Sequence, residues 1–152
     1  NPHVIAEVDS DSGEALFTTK TLDARIPNFS GGSQFVKLPN GEFLRVSRRR
    51  LPVEGKGLVH FSFLMHYDEH LQLLRFSRPF IFRKVGFEIC NGLILGDDET
   101  IYFSWGEDDR KLYIMSAELE EILSWLAIHD DRNFGFRQTL GFRKATRKLL
   151  MR

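Results

Sequence analysis

Two acidic triplets stand out among the residues able to do chemistry, Asp97-Asp98-Glu99 and Glu107-Asp108-Asp109. The second follows Trp105-Gly106 at the end of an alternating stretch, Thr100 to Trp105. A carboxylate there can accept a pair of sugar hydroxyls while an indole packs against the apolar face of a pyranose. Spacing alone favours a solvated strand end for this triplet. The first triplet, with Gly96, reads as a tight solvated turn between two strands.

Arg48-Arg49-Arg50 is the main basic cluster of the first half. Guanidinium forks can hold phosphate or carboxylate. A strand alternates its side chains, however, so three consecutive arginines converge only at a bend. A solvated edge, which also protects a sheet from unwanted pairing, is the plainer expectation. The five histidines, His3, His60, His66, His70 and His129, show no ligand spacing. His60 and His66 share a strand face too far apart to chelate one ion. No glycine-rich nucleotide loop, P-loop, HExxH helix or GxSxG elbow is present. Cys90 is the single cysteine, which excludes an internal disulfide and favours a reducing, cytoplasmic setting.

These residues must be positioned by short strands. His3 to Val8 and Ala15 to Thr19 flank a turn at 9–13, and a loop runs through 26–32. Gln34 to Leu38 and Glu42 to Ser47 flank Pro39-Asn40-Gly41, a compact hairpin signal. Leu58 to Tyr67 alternates cleanly, with His60, Ser62, Leu64 and His66 on one face and Phe61, Phe63, Met65 and Tyr67 on the other. Two bulky faces suit a strand packed on both sides. His70 to Phe76, Phe80 to Phe82, Phe87 to Leu95, Thr100 to Trp105 and Lys111 to Ser116 follow. Nine to eleven strands at this spacing predict an all-β, mainly antiparallel sandwich, barrel or propeller. One short helix is expected over 117–128, with Ser116 as its cap and Leu119, Ile122, Leu123 and Leu126 as its apolar stripe.

The chain of 152 residues has zero net charge, so no overall field draws it to nucleic acid. Charge is uneven, with seven Lys or Arg against two acids from Asp130 onward. Residues 1–129 therefore read as the folded unit and 130–152 as a basic, helix-prone tail. Docking of that tail on an acidic neighbour ranks ahead of membrane contact through 132–152. No apolar run reaches the ~18 residues of a membrane span. The opening Asn1-Pro2, without an initiator Met, suggests a trimmed piece.

Thr100 to Leu123, TIYFSWGEDDRKLYIMSAELEEIL, resembles the closing segment of the five-bladed β-propeller superfamily of mannoside phosphorylases and related glycosidases. Phe87 to Leu93 resembles the strand and glycine before it. His70 to Phe82, HLQLLRFSRPFIF, resembles a strand leading into a Ser/Arg-x-Pro turn. Gly31-Gly32-Ser33-Gln34 with Glu42 to Arg48 resembles a glycine loop on the substrate side and its strand. Where the phosphorylases carry a phosphate-binding His, this chain has Ser47-Arg48, which argues against inorganic phosphate as a participant. The match is closer to a sister group found beside bacterial glycosyltransferase domains.

The resemblance implies two to three blades of an incomplete five-bladed propeller, completed by the same polypeptide or another chain. It implies a carbohydrate ligand held by Asp109, with Trp105, Asp108, Glu107, Arg48, Ser33 and Gln34 around it, and no cofactor or metal. Glycoside cleavage, phosphorolysis or transfer is the implied activity of the whole. The family's catalytic acid falls in earlier blades. A non-catalytic glycan-binding or scaffold domain accompanying a glycosyltransferase is the other expectation. Arithmetic agrees with incompleteness, since a four-stranded blade needs roughly 40–45 residues.

Overall fold

The computed structural model describes residues 3–9, 11–21 and 29–128. The tail expected over 130–152 lies outside them, as do residues 26–28 of the expected loop; the rest of that loop is described, and its residues 30–32 form a strand instead. The described residues form ten strands and one helix, nearly all antiparallel β. Strand β1 (His3–Val8) pairs only with β2 (Ala15–Thr21). The turn between them closes on Asp9, whose carboxylate accepts the amides of Asp11 and Ser12 at 3.0 and 2.7 Å.

A five-stranded sheet follows. It contains β3 (Ser30–Gly32), β4 (Val36–Lys37), β5 (Phe43–Val53), β6 (Gly57–Tyr67) and β7 (Leu73–Phe76). Both β3 and β4 pair with β5, and β5, β6 and β7 then run as a meander. The Pro39-Asn40-Gly41 signal forms the expected turn. There Gly41 takes φ 88° and the Leu38 amide donates to the Glu42 carbonyl at 2.8 Å. Strand β5 runs past the arginines to Val53, further than the sequence suggested. Pro52 is tolerated because neither β3 nor β4 pairs that far along β5, so no partner there needs its missing donor.

The two-sided reading of β6 holds. Phe63, Met65 and Tyr67 are buried in a cluster with Leu51, Leu73 and Phe76, against which Phe29, Phe35 and Phe43 pack. Leu64 is buried on the opposite face with Leu44 and Val46. That second face meets the other sheet.

The other sheet is β10-β9-β8, made of β8 (Glu88–Leu95), β9 (Thr100–Glu107) and β10 (Lys111–Glu118). Strand β8 packs against β3, β4, β5 and β6. Cys90, Leu93, Ile101, Phe103 and Trp105 thereby share one core with Val36, Leu44 and Leu64. Helix α1 (Leu119–Ile128) closes this core with Leu119, Ile122 and Leu126, while Leu123 is only partly covered at its border. Ser116 is not the helix cap. Pairing with β9 continues to Glu118 opposite Thr100, so Ser116 stays in the strand and the helix begins at Leu119. The expected strand over Phe80 to Phe82 reduces to one bridge, Phe80 to Ser62.

Candidate functional site

The acidic triplet at 107–109 divides three ways. Glu107 ends β9 and is 2% exposed. Its carboxylate meets Arg83 at 3.2 Å, Lys84 at 3.3 Å and Lys111 at 3.9 Å. Asp108 and Asp109 form the turn into β10, both left-handed at φ 54° and 52°, a conformation that Asp tolerates better than bulkier residues. Asp108 pairs with Lys84 at 2.6 Å, and this hydrogen bond holds its carboxyl below the ordinary carboxylate range. Asp109 is exposed and makes no hydrogen bond or ion pair with another side chain among the described residues. Of the three carboxylates, it alone is left as a free acceptor.

Trp105 cannot serve as the sugar platform expected of it. It is 4% exposed and stacks between Phe82 (ring centres 5.2 Å apart, planes 13°) and Tyr113 (4.4 Å, 19°). With both indole faces covered, no pyranose can lie on it. Tyr113 carries the stack outward, under the Arg83 guanidinium at 5.3 Å from its ring centre. Arg83 also donates to the Tyr113 hydroxyl at 2.6 Å. The expected pairing of Trp105 with Asp109 is therefore not made: the first supports the turn, and the second stands on it.

Sequence reasoning missed Glu88. It sits directly opposite Glu107 in the β8–β9 register and is 3% exposed. Its two oxygens accept the amides of Phe82 at 2.7 Å and of Arg83 and Lys84 at 2.9 Å each. Burial pushes its carboxyl above the ordinary value, the three amides pull it down, and Glu107 pushes it up again. The pair clamps loop 82–87 across the end of the sheet. The available signal was a lone carboxylate at the core-facing parity of Cys90 in a largely apolar strand.

On the other sheet, Ser33 and Gln34 are committed to the fold rather than to a ligand. The Val46 amide donates to the Ser33 hydroxyl at 2.9 Å, and the Ser33 amide donates to the Val46 carbonyl at 2.9 Å. The Gln34 side-chain Nε2 donates to the Leu93 carbonyl at 2.7 Å, tying the two sheets together. Gly32 is required beside them: at φ 125°, a Cβ would lie 2.0 Å from the Val46 carbonyl oxygen.

Arg48 does sit in a basic cluster, though not the one the tripeptide suggested. Strand alternation sends Arg49 to the opposite face and leaves Arg48 and Arg50 together, with His60 across from Arg50. Arg48 Nε and His60 Nδ1 are buried without a hydrogen-bond partner. His60 is held below its ordinary pKa by burial first and then by Arg48 and Arg50; no carboxylate counters them. Among the described residues, Arg48 and Arg50 form no ion pair. The cluster, along the middle of β5, has the chemistry to accept an anion.

His66, on the same strand face as His60, is fully engaged. Arg75 Nε donates to its Nδ1 at 3.2 Å, so Nε2 carries the proton that bonds the Glu42 carboxylate at 2.8 Å. Burial, with help from Arg75, outweighs Glu42 and holds this imidazole below its ordinary pKa. Among the described residues, no three His, Cys, Asp or Glu side chains are grouped to hold a metal ion. Compared with protein-family models, curated proteins and solved structures, the chain matches none of them.

Proposed function

We propose that this chain is part of a carbohydrate-active β-propeller and positions a sugar for glycoside cleavage, phosphorolysis or transfer. The observation that carries the proposal is Asp109. Its two acidic neighbours are consumed by Lys84, Arg83 and Lys111, whereas its own carboxylate stays free on a turn braced by the Phe82–Trp105–Tyr113 stack. Two further features support the reading. The β4 to β7 run and the β8 to β10 run are consecutive meanders packed face to face, as successive blades would be. Arg48 and Arg50, without carboxylate partners among the described residues, suit a sugar bearing an acidic group.

In this reading the chain binds rather than supplies the catalytic acid. Glu88 and Glu107 are the buried carboxylates among the described residues, and each is occupied by amides or cations. A general acid needs a proton it can deliver to a glycosidic oxygen. The same observation favours a scaffold role beside a glycosyltransferase over independent catalysis. The remaining blades come from the rest of the polypeptide or from another chain. Titration of the intact protein with simple mannosides, neutral and acidic, tests the proposal. Saturable binding is expected, and failure to bind any of them contradicts it.

A further inference from the structure

Strand β10 is an edge. It pairs with β9 over all eight of its residues without a register shift, and among the described residues nothing pairs with its other side. It lacks the usual devices that keep an edge alone: it has no proline and no bulge, and the charges stand at its ends rather than within it. The side chains at even positions, Arg110, Leu112, Ile114, Ser116 and Glu118, are all exposed. Leu112 is 69% and Ile114 74% exposed, and Ile94 and Tyr102 extend the apolar surface across the sheet.

We infer that β10 pairs antiparallel with β10 of a second copy of this chain, about a two-fold axis at Ile114. A two-fold axis perpendicular to a sheet keeps faces aligned and makes the strand its own partner. With Ile114 opposite Ile114 of the second copy, Leu112 falls opposite Ser116, and Arg110, the turn residue just before the strand, comes opposite Glu118 at both ends. The two neighbouring registers that keep the faces aligned are worse. Centring on Tyr113 carries Glu118 past the end of the partner strand, where the turn residue Asp108 offers no opposite charge, and leaves Arg110 against Ser116. Centring on Met115 puts Leu112 against Glu118. Opposite charges directly across a strand pair stabilise it and like charges oppose it, so the sequence of β10 selects one register. The product is a continuous six-stranded sheet with Leu112 and Ile114 of both copies gathered at its centre. This inference stands apart from the sugar reading, since it uses neither Asp109 nor the arginine cluster.

Sedimentation velocity of the full chain across a concentration series tests it, with circular dichroism and thermal unfolding checking that each variant folds. The wild type is expected to dimerise. Ile114→Lys, which sets two ammonium groups together on the axis, is expected to weaken the dimer at least tenfold. Arg110→Glu alone and Glu118→Arg alone are expected to weaken it as well, and the double exchange to restore it. A wild type that stays monomeric throughout overturns the inference, as does a dimer indifferent to Ile114→Lys. A double exchange no better than either single variant overturns the register.

Discussion

Two regions rich in charge lie on this protein, and they treat their side chains in opposite ways. Around the β9–β10 turn, Glu88, Glu107 and Asp108 are all used: three amides, two lysines and an arginine satisfy them, and the loop at 82–87 is held in place. In the middle of β5, Arg48 and Arg50 gather with His60, and among the described residues no carboxylate answers them. Folding consumes the first group and leaves the second available. Asp109 belongs by sequence to the first region and by chemistry to the second. A run of like residues is therefore a poor guide to function until one knows which members the fold has used.

The sharpest way to break that contrast is to attack the support under the used region. Trp105→Ala empties the middle of an aromatic stack and should cost about 3–5 kcal/mol. Thermal or denaturant unfolding measures it, and a loss too small to detect would return the indole to the list of exposed binding groups. Glu88→Ala comes next. It leaves three amides without their acceptor and should cost on the order of 2–4 kcal/mol, with faster hydrogen exchange at the amides of Phe82, Arg83 and Lys84. Unchanged exchange there contradicts the clamp. The smallest effect belongs to the unused region. Arg50→Gln removes a positive charge that lowers the His60 pKa, so NMR titration of the imidazole should show it rise toward its ordinary value, with little change in stability. An unmoved titration would separate Arg50 from the cluster.

Much of this arrangement was legible in the residues. Alternation located β6 and both of its faces, because each parity carries its own bulky set. Asn40-Gly41 located the β4–β5 turn, because few residues tolerate its positive φ. The fate of Trp105 was only half visible. Counting back from the turn sets Trp105 opposite Tyr113, but the second cover, Phe82, arrives from a loop that no period predicts. Glu88 was missed for the same reason, since its acceptor role depends on amides six, five and four residues earlier in an irregular segment. The arginines show the reverse. Their alternation was foreseen, and it is what frees Arg48 and Arg50 from Arg49 and joins them to His60, a partner from the neighbouring strand. Ser116 misled because a cap preference is local, whereas the β9–β10 ladder that claimed it depends on pairing with another strand.

The central claim is that Asp109 is the carboxylate left free for a ligand. The most direct measurement compares wild type and Asp109→Asn in the intact protein, by calorimetric titration with the mannoside that binds best and by thermal unfolding of both. A carboxylate accepting two sugar hydroxyls is expected to contribute enough that its loss weakens binding by ~10²-fold or more. Stability should change by no more than about 0.5 kcal/mol, because the side chain has no partner among the described residues. Undiminished affinity in Asp109→Asn, or a large loss of stability, contradicts the account.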